Sequence, residues 1–197
     1  IDVVLMSDTS LSFRSGIGAS ITSNFKNKWY FKTSVISGIG QSTNQRFQPK
    51  AMFYKQNEMG HYTYADVRGR ISYTPNHIFN FQTGIDHNFI GEGNRSLLLS
   101  DYSKPYPFAA IRANFWRFEY MILYQFLREE APNNKWKSKY MSSHLMSFNA
   151  TKWLNIGIFE TVVFAPQDTL LNRGFDAEYL NPIVYYRSQE YSIGSPD

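Results

Sequence analysis

Few residues in this chain are spaced to do covalent chemistry. Four carboxylates, Glu92, Asp101, Glu160 and Glu178, are the candidates for an acid/base pair of the kind that cleaves glycosides. Basic residues stand ready to pair with such acids, Arg95, Lys104, Arg173 and Arg187 among them, and paired charges are what a polar interior needs. Pairing is therefore the preferred reading. The four histidines, His61, His77, His87 and His144, lack the close spacing of a zinc-binding helix. Asp86 and His87 are adjacent, so on a strand they point to opposite faces. There is no Gly-x-Ser-x-Gly elbow, no phosphate loop and no dinucleotide fingerprint. With no cysteine, a disulfide, a thiolate metal site and a Cys nucleophile are all excluded. The expectation is a non-enzymatic protein with no metal and no cofactor.

The elements that hold these residues read as strands, because apolar residues recur at every second position. Over 11–21, Leu11, Phe13, Ile17, Ala19 and Ile21 share one face, and Ser12, Arg14, Gly16, Gly18 and Ser20 the other. Over 29–39 the apolar face is Trp29, Phe31, Val35 and Ile39. Over 61–73, Ala65, Val67, Gly69, Ile71 and Tyr73 oppose Tyr64, Asp66, Arg68, Arg70 and Ser72. The run 78–89 sets Phe79, Phe81, Ile85 and Phe89 against Asn80, Gln82, Asp86 and Asn88. Thr74-Pro75-Asn76-His77 is turn-like and joins these last two runs into a hairpin. Gly16, Gly18, Gly38 and Gly40 fall inside strands, where glycine relieves curvature or admits close packing. Further strands are expected at 107–116, 118–127, 139–149, 153–164 and 178–188, with a shorter one near 47–56. That makes about ten strands. Only 170–180 has a helical flavour.

The identity of the polar face selects among all-β folds. An open sandwich face favours Lys, Glu and Thr. A crowded polar lumen suits residues that pair, and Asp66, Arg68, Arg70, Asn80, Gln82 and Asp86 are read as lumen-facing. Aromatics are 17% of the chain and charged residues only 18%, below the ~25% of an average domain. Tyr73, Phe79, Phe115, Trp116, Phe118 and Trp153 lie beside the expected short turns, as in an interfacial girdle. Short turns at 74–77, 116–117 and 150–152 alternate with long links at 90–106, 128–138 and 165–177. The expected fold class is an all-β, antiparallel transmembrane β-barrel. It forms a single domain over 1–197 and is part of a larger, incomplete barrel. No apolar run is long enough for a transmembrane helix. The formal charge of +4 is scattered, and nucleic acid is not an expected partner.

The segment 89–101 passes through two glycines and an arginine into Leu97-Leu98-Leu99. An exposed leucine run is costly in water, so this loop is expected to fold inward, constricting a lumen, or to dock on a partner. The stretch Asn88-Phe89-Ile90-Gly91-Glu92-Gly93-Asn94-Arg95-Ser96-Leu97-Leu98-Leu99-Ser100-Asp101, followed by Tyr106-Pro107, resembles Bacteroidetes outer-membrane proteins. The relatives in question are the RemB-type gliding-motility proteins and the broader Wzi-like capsule-assembly family. A second stretch agrees in order: Phe175-Asp176-Ala177-Glu178-Tyr179-Leu180-Asn181-Pro182, then Tyr186-Arg187, Glu190 and Gly194-Ser195. The resemblance implies a large barrel in the outer membrane, at the cell surface, that attaches or assembles surface polysaccharide or serves surface motility. By matching blocks it points to Glu92, Arg95, Asp101, Glu178, Asn181 and Arg187 as constrained loop and lumen positions. Expected partners are outer-membrane lipid or lipopolysaccharide, surface polysaccharide and other outer-membrane proteins. The rival readings are a structural subunit of a larger secretion, motility or barrel-assembly complex, and a soluble carbohydrate-active β-protein.

Overall fold

The structure is a computed structural model, and it describes residues 2–7, 11–42, 49–92, 96–130 and 136–164. These carry ten strands and no helix: β1 (Asp2–Ser7), β2 (Leu11–Phe25), β3 (Trp29–Gln41), β4 (Phe53–Gln56), β5 (His61–Tyr73), β6 (Phe79–Asp86), β7 (Tyr106–Phe115), β8 (Phe118–Glu130), β9 (Trp136–Asn149) and β10 (Asn155–Phe164). The sheet order is β1-β2-β3-β5-β6-β7-β8-β9-β10, with β4 paired to β5 off this path. It is an antiparallel sheet in which chain neighbours are mostly sheet neighbours. β1 and β10 are the two ends of the order.

Turn chemistry explains the hairpins. Lys26 and Asn27 both adopt left-handed φ, 50° and 51°, which twists the link between β2 and β3 the way a two-stranded ribbon requires. In the β5–β6 link, Asn76 Oδ1 accepts from Ile78 N (3.0 Å) and Phe79 N (2.9 Å), folding the chain back on itself. Between β9 and β10, Thr151 Oγ1 does the same for Leu154 N at 3.0 Å. Trp116 takes φ 51° so that β7 and β8 join through two residues.

Compactness divides the chain into two units. The first comprises Ile1–Ile71 and Gly84–Pro105, the second Ser72–Thr83 and Tyr106–Asp197. In the first, the alternation read in the sequence becomes an alternation of burial. Ile17, Ile21, Val35, Ile39, Val67 and Ile71 are exposed, whereas Tyr62, Tyr64 and Asp66 are buried. Ile17 is 73% exposed and Asp66 is 5% exposed. The hydrophobic face looks outward, and the polar face is covered on β5; towards the 26–28 turn both faces of β2 are exposed, with Ser20 and Thr22 open.

In the second unit the outward row again exposes apolar residues, Phe79, Phe81, Ile111, Phe115, Met146, Ile156 and Ile158, and on β9–β10 it also carries His144 and Glu160. Its centre differs. Met121, Ile122, Leu123, Tyr124 and Gln125 are consecutive and all buried, so β8 is covered on both faces there. Their partners Ser142, Ser143 and His144 on β9 are buried too.

Several expectations are corrected. β8 and β9 run further than expected, to Glu130 and from Trp136, so both ends of the link expected at 128–138 are strand. The charged residues there suggest a loop, but backbone pairing continues through them, with Glu129 opposite Lys137. The short strand expected near 47–56 is β4, four residues that add to β5 alone. β1 is a strand that the alternation did not indicate. The expected strand 178–188, the helical segment 170–180 and the link 165–177 lie outside the described residues.

Candidate functional site

The covered polar face of β5 and β6 carries the densest group of interacting side chains. In the first unit Asp66 pairs with Arg68, whose Nε donates to Asp66 Oδ2 at 2.6 Å. Asp66 Oδ1 also accepts from Met52 N at 3.2 Å, tying the segment before β4 to the strand. Arg70 is the hub of a second group. Its Nε donates to Asp86 Oδ2 (3.1 Å), and Nη2 donates to His87 O (2.7 Å) and Asn88 Oδ1 (3.1 Å). One guanidinium thus fixes the end of β6 and the start of the loop that follows. That fork geometry belongs to arginine rather than lysine.

In the second unit Asn80 donates to Ser72 Oγ and Thr74 Oγ1, both at 2.7 Å, and Gln82 Nε2 donates to Asn80 Oδ1 at 2.6 Å. All six residues read as lumen-facing therefore lie on the polar face. They fall into separate groups: Asp66–Arg68, Arg70–Asp86 and Asn80–Gln82.

Beside the first group lies an aromatic stack that the sequence reading missed. Tyr54, Tyr62 and Tyr64 follow one another with ring centroids 5.4 Å and 6.3 Å apart. Burial raises the Tyr54 phenol above its ordinary range, and repulsion from Tyr62 adds to this. Tyr64 lies over Gly16 and Gly38, which are direct partners in the β2–β3 register, and Tyr62 lies over Gly40. A Cβ on Gly38 would sit 2.7 Å from Tyr64 Cε1, closer than real packing permits. The signal was present as Gly-x-Gly repeats on two strands and Tyr-x-Tyr on a third, but it shows only once the register is known.

The loop after β6 is pinned at its base. His87 Nε2 is 2.8 Å from Ser103 O, and Ile90 and Leu99 form an antiparallel bridge through reciprocal backbone bonds of 2.9 and 3.3 Å. Ser96 Oγ donates to Ile90 O, and Ile90 is buried. The inward fold expected of the leucine run does not occur at Leu97 and Leu98. Both are exposed, Leu97 completely, because the Ile90–Leu99 bridge leaves them at the tip.

Of the positions singled out by matching blocks, Glu92 and Asp101 are exposed. Arg95, Glu178, Asn181 and Arg187 lie outside the described residues. No three His, Asp or Glu side chains gather as a metal site among the described residues. Glu160 faces buried His144 across β9–β10, and the His144 ring meets Tyr120 edge-on at 6.0 Å.

The short turns of the second unit are rimmed by aromatics. Phe118 stacks on Phe115 (5.6 Å) and on Phe148 (4.6 Å), and Trp116 packs against Phe118 and Phe148. Arg117 lies over the Trp116 ring, and Trp153 is 83% exposed. Backbone bonds from Asn114 N to Ile78 O (2.8 Å) and from Asn149 N to Arg117 O (2.9 Å) link neighbouring turns.

No family model, curated protein or solved structure matches this chain.

Proposed function

We propose that this chain forms part of the wall of a β-barrel in the bacterial outer membrane and that its role is non-enzymatic. The observation that carries this is the inverted burial along β5 and β6: apolar side chains turn outward, and Asp66, Arg70, Asp86 and Asn80 on the opposite face are buried or half-buried and paired. In water, a sheet that exposes Ile17, Ile21, Val35, Ile39, Phe79, Phe81, Ile111 and Ile158 forfeits their hydrophobic stabilisation, about 1.5–3 kcal/mol for each fully buried side chain. Hydrocarbon removes that penalty.

Strand length agrees. β2, β3, β5, β7, β8, β9 and β10 have 10 to 15 residues, against the ~9–11 that cross a bilayer at a tilt. β1, β4 and β6, with 6, 4 and 8 residues, fall short of that length. The exposed Trp116, Phe115 and Trp153, with Arg117 over the Trp116 ring, suit the headgroup layer at the short-turn end. The resemblance of 88–101 to Wzi-like and RemB-type proteins extends the proposal to attachment or assembly of surface polysaccharide, or to surface motility.

Val35→Arg tests the wall. In a bilayer it is expected to destabilise the folded protein by about 2–4 kcal/mol, read as reduced folding into phosphatidylcholine vesicles. In a water-soluble sheet the same exposed substitution is close to neutral. A fully soluble, monomeric Val35→Arg protein in detergent-free buffer overturns the proposal.

A further inference from the structure

On β2, β3 and β5 the odd-numbered residues share the outward face. Away from the 26–28 turn this face opens into a cleft of about 330 Å³. That is at the lower end of small-molecule sites. Phe13 and Ile39 form its apolar floor. They lie on one face because Phe13 pairs with Gln41 and Ser15 with Ile39. Lys55 and Thr63, direct partners across β4–β5, form a wall with His61, and all three are exposed. Glu58, the acid of the neighbouring turn, does not line the cleft.

An apolar floor and a nitrogen-bearing wall ask different things of a ligand. A free anion has no use for Phe13 and Ile39. A bare hydrocarbon has none for the Lys55 ammonium and the His61 imidazole. We infer that the cleft binds a phosphorylated lipid, with an acyl chain on Phe13 and Ile39 and the phosphate on Lys55 and His61. This rests on the wall reading, which puts the outward face in contact with lipid. A lysine at the edge of an apolar surface covers it with its stem and holds its charge at the polar boundary, where lipid phosphates lie.

The test uses the whole chain folded in neutral maltoside micelles and native mass spectrometry. The probes are dioleoyl phosphatidic acid, dioleoylglycerol and inorganic phosphate. The expected result is a single phosphatidic acid adduct, weakened about tenfold in Lys55→Ala/His61→Ala by loss of charge-assisted hydrogen bonds. It is also expected to be lost in Ile39→Trp, which fills the floor and leaves both nitrogens. Dioleoylglycerol is expected to bind weakly and inorganic phosphate not at all. Equal binding of phosphatidic acid to wild type and to Lys55→Ala/His61→Ala overturns the site, and so does equal binding of inorganic phosphate. Insertion into phosphatidylcholine vesicles is measured alongside. If all proteins insert but none discriminates phosphatidic acid, the site falls and the wall stands. If wild type does not insert, both fall.

Discussion

The two units solve the problem of a covered sheet face differently. In the first, the covered face is polar and aromatic: Asp66 with Arg68, Arg70 with Asp86 and Asn88, and tyrosine rings on glycines. Its cohesion comes from hydrogen bonds and from rings seated on bare backbone. In the second, the middle of β8 is covered on both sides, and Phe108 and Leu123 are each 1% exposed. There Ser143 is buried with its hydroxyl 2.7 Å from Thr161 Oγ1, whereas an unpaired polar group is a burden. Gln125 is 1% exposed, and neither atom of its amide has a hydrogen-bond partner. The same sheet thus makes paired polar side chains essential in one region and carries an unpaired, costly one in the other.

Substitutions can break or sharpen this contrast. The largest effect is expected at Tyr64 in the first unit. Tyr64→Ala uncovers Gly16 and Gly38 and removes a buried ring, at a cost of about 3–5 kcal/mol in urea unfolding of the vesicle-folded protein. Tyr64→Phe keeps the ring and is expected to retain most of that stability. Next comes Arg70→Met, which strands Asp86 and frees the loop base. Buried pairs cost about 3–5 kcal/mol to break, and these side chains are 20% and 17% exposed, so about 2–3 kcal/mol is expected. Faster protease cleavage between 87 and 103 is expected to accompany it. A stability unchanged by Arg70→Met would erase the distinction between the units. The smallest effect has the opposite sign. Gln125→Leu removes an unpartnered buried amide from the second unit and is expected to stabilise by about 1 kcal/mol.

Legibility in the sequence followed the same division. Where one face is polar, alternation fixed β5 at His61–Tyr73 and placed β6 within a few residues, and it named the residues whose side chains pair. In β8 the run Met121-Ile122-Leu123-Tyr124 is apolar throughout, so the sequence located a strand but carried no sign that both faces would be covered. Side-chain pairing between distant strands was hidden. Arg70 and Asp86 are 16 residues apart, and only the hairpin brings them together. The tyrosine stack was hidden for the same reason, since glycine shows no preference for a particular ring until strands are aligned. Of the two readings of the leucine run, inward folding fails at Leu97 because hydrophobic composition alone argues for burial, whereas the backbone bridge below it dictates position; docking on a partner is untouched by this exposure.

The glycines beneath Tyr64 also act as a counter. A sheet whose outward face is uniformly oily tolerates a slip of two residues between strands without exposing anything new. Sliding β3 by two positions one way would bring Ile36 under the ring in place of Gly38, and the ring has no room for it; the opposite slide brings Gly40, which offers no such block. The alignment of β3 with β5 is thus checked by shape against one direction of slip, like a ratchet.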